Sequence, residues 1–130
     1  MSDRSIRNIL VVEDEPLLAM DVEMTLTAAG YRVIGPALTT RDALHLVQDE
    51  ALDLAVLDLN IGDDTVAPVA DRLADDGTPF MILSGHSHEV VPARHKARPF
   101  MQKPYKTSEL LQALNRLLER RSNGHGRKSA

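Results

Sequence analysis

Charged and hydroxyl side chains follow four short apolar runs of this sequence. Glu13 and Asp14 come directly after NILVV, Asp58 ends LDLAVLD, Ser84 follows PFMIL, and Lys103 follows RPFMQ. Carboxylates that are grouped together repel one another, so at neutral pH they need a cation or take up protons. Mg²⁺ is a hard cation that prefers carboxylates, waters and phosphate oxygens. If these positions meet, they would hold Mg²⁺ and bind a phosphoryl group, with Asp58 as the nucleophile.

The elements that would carry these residues alternate between strand and helix. Short β-branched runs predict strands at 8–12, 31–35, 52–59, 79–83 and 98–102. Apolar residues at helical spacing predict helices at 15–29, 39–50, 67–76 and 107–121, with Pro16 in a first turn, Gly30 as a C-terminal cap and Thr40 as an N-cap. The alternation favours an α/β fold, a doubly wound parallel sheet with helices on both faces.

Ligands of such sheets bind beyond the carboxyl ends of the strands, so the polar residues are expected at one edge. There the backbone carbonyl of Asn60 would complete a Mg²⁺ shell. The Lys103 ammonium and the Ser84 hydroxyl would each contact a phosphoryl oxygen. Taken singly, each residue also has an ordinary structural interpretation, such as a helix start for Glu13 and Asp14 or a turn for Ser84. Only their joint occurrence at successive strand ends favours the site.

The segment between Gly85 and Pro99 has a thin apolar pattern, with Pro92 in its middle. We therefore expect any fourth helix there to be short or irregular. His86, His88 and His95 lie in this segment, and solvated loop histidines are favoured over a metal site because no further ligands are in view.

Composition narrows the class of protein. The length of 130 residues is typical of one domain. The sequence has no cysteine, which excludes a disulfide or a thiolate zinc site. Its net charge of −4 gives no support for nucleic-acid binding. We expect no membrane span, no signal peptide and a cytoplasmic location. The domain is expected over residues 1–121, and the polar segment 122–130 is expected to be a disordered tail.

The segments NILVVEDEP, LDLAVLDLNIG, PFMILSG and PFMQKPY resemble the receiver domain of bacterial two-component response regulators, of the CheY-like type, over about residues 7–120. The resemblance implies a five-stranded sheet with strand order 2-1-3-4-5. It also implies roles for individual residues: Mg²⁺ (or Mn²⁺) ligands at Glu13, Asp14, Asp58 and Asn60, the phosphoacceptor at Asp58, catalytic groups at Ser84 and Lys103, switch residues at Ser84 and Phe100, and a cis peptide bond before Pro104.

Two positions depart from the commonest residues of this family. Glu13 stands where aspartate is most frequent, although glutamate is also common there. Phe100 replaces the more frequent tyrosine, so its ring carries no hydroxyl that could form a hydrogen bond after turning inward.

The resemblance implies a phosphoprotein of the stand-alone, single-domain type rather than an enzyme with a separate substrate. A sensor histidine kinase or a histidine phosphotransfer protein would donate the phosphoryl group to Asp58. The chain would catalyse only its own phosphorylation and dephosphorylation, and would signal by phosphorylation-dependent contact with an unidentified output protein. Direct binding to nucleic acid or membrane is not expected, and homodimerisation is left open.

Other functions remain open on the sequence alone. The same pocket would serve a phosphate shuttle or sink in a phosphorelay, which differs only in phosphoryl lifetime. A small phosphatase of the haloacid dehalogenase type also uses an aspartate nucleophile, but Asn60 occupies the place of its second acid. A flavodoxin-like binder is disfavoured, because acids rather than a glycine-rich phosphate loop follow the first strand.

Overall fold

A computed structural model describes residues 6–61 and 64–128, and side chains within 6–59 and 65–119. The strands along the chain are β1 (Asn8–Val12), β2 (Arg32–Ala37), β3 (Leu54–Asp58), β4 (Asn60–Ile61), β5 (Asp64–Thr65), β6 (Phe80–Ser84) and β7 (Phe100–Gln102). Five of them form one parallel sheet in the order β2-β1-β3-β6-β7, while the two-residue strands β4 and β5 pair with each other antiparallel. The predicted order 2-1-3-4-5 is therefore confirmed, with β6 and β7 as its fourth and fifth strands.

The helices cover both faces of the sheet. They are α1 (Pro16–Ala28), α2 (Thr40–Asp49), α3 (Ala67–Asp76) and α4 (Thr107–Lys128). Buried residues of α2 and α3 pack with Leu10 and Val12 of β1 on one face, whereas those of α1 and α4 pack with Ile9 and Val11 on the other. Because alternate residues of one strand enter opposite cores, the central strands must be apolar throughout, which explains the near-continuous apolar runs.

Two local predictions need correction. The N-cap of α2 is Thr39, whose hydroxyl accepts a hydrogen bond from Asp42 N at 3.0 Å, whereas the hydroxyl of the predicted cap, Thr40, donates to the Thr65 carbonyl. The predicted glycine cap of α1 is confirmed, because Gly30 adopts φ +98° and the Gly30 and Tyr31 amides donate to the Thr27 and Leu26 carbonyls, both at 3.0 Å. Helix α4 continues past residue 121 to Lys128, where a disordered tail was expected. Extending an established helix costs less than nucleating one, so polar residues and two glycines are accommodated; residues 129–130 lie outside the described residues.

The connection between β6 and β7 contains no α-helix, and the whole of 86–98 is described. It forms two 3₁₀ turns, His88–Val90 and Ala93–His95, which confirms the predicted irregular fourth helix. Val91 and His95 are both buried, so the connection is attached to the core at two points. Among the described helices, none is long and apolar enough to cross a lipid bilayer.

Candidate metal and phosphoryl site

The parallel register brings the polar residues to one edge of the sheet. Glu13 and Asp14 follow β1, Asp58 is the last residue of β3, and Ser84 is the last residue of β6. Asp58 lies beside Leu83 and Ser84 beside Gln102, so Lys103 leaves β7 next to the same edge. The five residues therefore share the carboxyl end of the sheet.

Three carboxylates lie within the reach of a single cation. One carboxylate oxygen from each of Glu13, Asp14 and Asp58 lies within 4.8 Å of the others. Glu13 and Asp58 are buried, and Asp14 is half-buried. Oxygen ligands of this kind, partly removed from water, fit a hard divalent cation such as Mg²⁺ or Mn²⁺, whose charge would offset their mutual repulsion.

Lys103 bridges two of these acids. Its Nζ lies 2.9 Å from Glu13 Oε1 and 3.3 Å from Asp58 Oδ2. Burial by itself would lower the pKa of Lys103, but the hydrogen bond to Glu13 and the charges of both acids outweigh it, and the pKa is raised. The ammonium is thus held charged beside Asp58, where a phosphoryl oxygen would need it.

The pKa of Asp58 is raised from 3.8 to about 7, first by burial and then by the neighbouring Glu13. Lys103 acts in the opposite direction without compensating fully. A metal-free site therefore tends to take up a proton near neutral pH, as expected for crowded acids without a cation. Three carboxylates are grouped around the single Lys103 ammonium, so their negative charge is only partly offset. This excess of negative charge supports the assignment of a cation site.

Strand β2 sets the position of Glu13. Its backbone carries Gly35 at φ +98°, and the pairing with β1 shifts register between Leu10 and Val12. Ala37 O then accepts a hydrogen bond from Glu13 N at 3.0 Å. A Cβ atom at residue 35 would lie 2.7 Å from Ala37 N and 3.1 Å from Val11 O. Only glycine therefore fits this approach without strain.

Ser84 is buried beside the site, and its hydroxyl already has a partner. Its Oγ accepts a hydrogen bond from His86 N at 2.9 Å, and its carbonyl accepts one from Lys103 N at 2.7 Å. The peptide bond between Lys103 and Pro104 is cis, as the resemblance implied. In this arrangement the Ser84 hydroxyl is directed to the backbone of the β6–β7 connection.

Two predicted residues lie at the margin of the site. Asn60 is two residues past Asp58 in β4, where it pairs with Thr65, and its side chain is outside the described set. Phe100 is the first residue of β7, three positions before Lys103, and its half-buried ring contacts the His88 ring.

One polar cluster was not found from the sequence. His95, expected as a solvated loop residue, is 2% exposed, and its Nε2 lies 2.8 Å from Asp71 Oδ1 of α3. Arg94 pairs with Asp71 at 2.9 Å and with Asp75 at 3.0 Å. The hydrogen bond from His95 lowers the pKa of Asp71. The polar sequence around His95 gave no indication of burial, because the ring is covered by tertiary contacts, including the edge of Phe80.

Comparison with known proteins identifies the class. The sequence profile of the response regulator receiver domain matches residues 9–115. This chain belongs to the family of response regulator receiver domains, a signalling domain of two-component systems that binds Mg²⁺ at an acidic site.

Individual relatives agree with that assignment. The chain is 26% identical over 121 residues to the transcriptional regulatory protein PdtaR of Mycobacterium tuberculosis, covering 88% of this chain and 58% of that protein. It therefore spans little more than half the length of that relative. The chemotaxis protein CheY of Thermotoga maritima is 25% identical, with 85% of this chain and 97% of that protein covered.

A solved structure is more similar in sequence. The solution structure of SdrG from Sphingomonas melonis Fr1 has a TM-score of 0.76 and 38% sequence identity, covering 87% of this chain and 97% of that one. A second structure, of the beryllofluoride-activated conformation of SdrG, has a TM-score of 0.72 at the same identity. Both likenesses extend over most of the sheet and helices described above.

Proposed function

We propose that this chain accepts a phosphoryl group on Asp58 from a phosphohistidine of a histidine kinase or phosphotransfer protein, and signals through phosphorylation-dependent protein contact. The observation that carries the proposal is the position of Asp58 at the sheet edge, within one cluster with Glu13 and Asp14 and 3.3 Å from the Lys103 ammonium. An isolated loop aspartate would have neither the acidic neighbours nor the cation.

The chemistry follows from these groups. An Asp58 carboxylate oxygen attacks the phosphorus, the bond from phosphorus to the donor histidine nitrogen breaks, and the electron pair leaves with that nitrogen. Glu13, Asp14, Asp58 and the backbone carbonyl of Asn60 would hold Mg²⁺, which would supply positive charge to offset the acids and the phosphoryl group. Lys103 contacts a second phosphoryl oxygen, and the Ser84 hydroxyl turns from His86 N to contact a third.

The donor docks over α1. This helix exposes Leu17, Met20 and Met24 with 73%, 54% and 64% of their surface free, at the i, i+3, i+7 spacing of one helical face. The stripe begins three residues after Asp14, so a partner on it reaches the mouth of the site. A groove of about 400 Å³ between α1 and the β7–α4 connection, lined by Leu18 and Lys103 among others, continues this surface toward Asp58. Apolar exposure of this kind is typical of protein contact sites.

We infer that the output protein binds over 84–105, where Ser84 and the β6–β7 connection respond to phosphorylation. Withdrawal of the Ser84 hydroxyl toward the phosphoryl group vacates space beside β6, and the Phe100 ring rotates into it. The β6–β7 connection then presents a changed surface to the output protein. Beryllofluoride, which activates SdrG in one of the solved structures, mimics the phosphoryl group and is a suitable probe of this change.

A small phosphodonor tests the proposal directly. The protein is incubated with acetyl phosphate and Mg²⁺, and the added mass is located by intact-mass spectrometry and by peptide mapping after borohydride reduction. We expect one phosphoryl group on wild type, one on the control Asp49→Asn at the exposed end of α2, and none on Asp58→Asn. Equal uptake by Asp58→Asn and wild type would refute the assignment.

A further inference from the structure

The Phe100 ring is held by a neighbour that lies outside the phosphoryl site. The His88 ring contacts it edge to face, with ring centroids 5.1 Å apart and planes at 70°. His88 is exposed and Phe100 half-buried, so the histidine covers part of the aromatic ring at the protein surface. The inward rotation of Phe100 would break this contact.

His88 is itself fixed in place. Its Nε2 lies 2.9 Å from the Lys96 carbonyl oxygen, and the Lys96 ammonium donates to the carbonyl oxygens of His88 and Glu89, both at 2.9 Å. Because a carbonyl oxygen only accepts hydrogen bonds, the proton of this bond must reside on His88 Nε2. Three hydrogen bonds therefore join the first 3₁₀ turn to the end of the connection and orient the His88 ring toward Phe100.

The same stretch of backbone also holds the other switch residue. His86 N donates to Ser84 Oγ at 2.9 Å, two residues before His88. Residues 86–88 thus contact both side chains that are expected to move on phosphorylation. Release of Ser84 frees the His86 amide, and rotation of Phe100 vacates the face of His88, so the two movements share one short segment.

We propose that His88 is a positioning residue that latches Phe100 in its resting arrangement and thereby sets how readily the phosphorylated arrangement is reached. The proposal rests on the proposed function above, since it concerns the switch of that same site. His88 does not touch the reacting atoms. Its ring contact stabilises only the resting arrangement, so its loss favours the other one.

The size of the effect follows from the contact. An edge-to-face aromatic contact stabilises the resting arrangement of Phe100. Its loss would raise the ratio of inward to resting Phe100 by about two- to tenfold. Because ligand binding and the conformational ratio are linked, the same variant would bind beryllofluoride with Mg²⁺ up to about two- to tenfold more tightly, provided the resting arrangement predominates. A merely structural role for His88 would instead weaken binding or leave it unchanged.

Fluorine NMR measures the ratio, because the chain contains only two phenylalanines. Protein labelled with 4-fluorophenylalanine gives one resonance from Phe100 and one from the fully buried Phe80, which serves as an internal reference. The wild-type Phe100 resonance is followed during titration with beryllofluoride and Mg²⁺. In unliganded His88→Ala we expect this resonance to be shifted toward the beryllofluoride-bound position, and the midpoint of the titration to fall.

Two further variants separate the ring from the hydrogen bond. His88→Gln keeps a donor for the Lys96 carbonyl without the ring and should behave as His88→Ala; it also replaces that variant if His88→Ala fails to fold. His88→Phe keeps the ring and should resemble wild type. His45→Ala, on the exposed face of α2, is the matched control and should leave both measurements unchanged.

The outcomes distinguish this proposal from the one on which it rests. If wild-type Phe100 does not respond to beryllofluoride, the proposed phosphoryl switch fails. If wild type responds but His88→Ala and His88→Gln have the wild-type ratio and midpoint, the latch is refuted while the switch stands. A shift of equal size in His45→Ala would also overturn the latch.

Discussion

The raised pKa of Asp58 makes the metal-free protein sensitive to pH in a definite direction. An acid whose folded-state pKa lies above its unfolded value binds its proton more tightly when folded, so its contribution to stability declines as pH rises between the two values. For Asp58 these values are 3.8 and about 7. The gap between them corresponds to about 4 kcal/mol of unfolding free energy lost between about pH 4 and pH 7.

Substitution of Asp58 isolates this contribution. Urea denaturation of wild type and Asp58→Asn, both with EDTA, gives the difference in unfolding free energy at several pH values. Asparagine does not titrate, so the advantage of Asp58→Asn should grow by up to about 4 kcal/mol from about pH 4 to pH 7 and then level off. Saturating Mg²⁺ should remove most of this growth for wild type, since the cation favours the ionised acid.

A difference that stays constant across this pH range would refute the electrostatic account of the site. Asp49→Asn, an exposed aspartate on α2, is the control, because it removes the same acid far from the cluster. A similar growth in Asp49→Asn would show that the effect arises from net charge rather than from burial and from Glu13.

Three other perturbations test neighbouring features. Gly35→Ala should destabilise the protein by about 3 kcal/mol and weaken Mg²⁺ binding through Glu13. The control Gly77→Ala should cost only about 1 kcal/mol, because φ is also positive there but a Cβ would meet nothing within 4 Å. Equal losses of unfolding free energy in the two variants would contradict the close approach at residue 35. Met24→Glu should slow phosphotransfer from a histidine donor about tenfold while leaving labelling by acetyl phosphate unchanged, and equal slowing of both would remove α1 as the docking face. Arg94→Ala should speed amide hydrogen exchange over 93–96 with little change in the denaturation midpoint, because its ion pairs are exposed; unchanged exchange would mean that Val91 and His95 suffice as anchors.

The grouping of Asp58, Ser84 and Lys103 at one edge of the sheet could be predicted from the sequence, because all strands of a parallel sheet run in the same direction. Four of the five apolar runs end at polar residues, and in a parallel sheet the carboxyl ends of all strands lie at the same edge. Asp58, Ser84 and Lys103 are therefore neighbours in the structure although they lie far apart along the chain. Apolar spacing also located the four α-helices among the described residues, each of which buries apolar side chains against the sheet.

The contacts around that edge depend on side-chain conformation, which periodicity does not encode. Lys103 Nζ lies 2.9 Å from Glu13 and 3.3 Å from Asp58, a difference that the spacing of these residues in the sequence does not indicate. The burial of His95 arises from Asp71 and Phe80, residues remote in sequence. The strands β4 and β5 have two residues each, too few for an alternating pattern. Adjacent threonines at 39 and 40 made the cap of α2 ambiguous by one residue.

The two anchors of the β6–β7 connection have a consequence for the rate of signalling. Val91 and His95 attach its second half to the core, and hydrogen bonds to Lys96 hold its first turn, so only a short segment that begins at Gly85 has to move when the Ser84 and Phe100 contacts change. Loop movements of this size occur in nanoseconds to microseconds, whereas shifting a packed helix takes microseconds to milliseconds. We expect the surface to follow the phosphorylation state without delay, so that the duration of the message is set by the lifetime of the acyl phosphate alone.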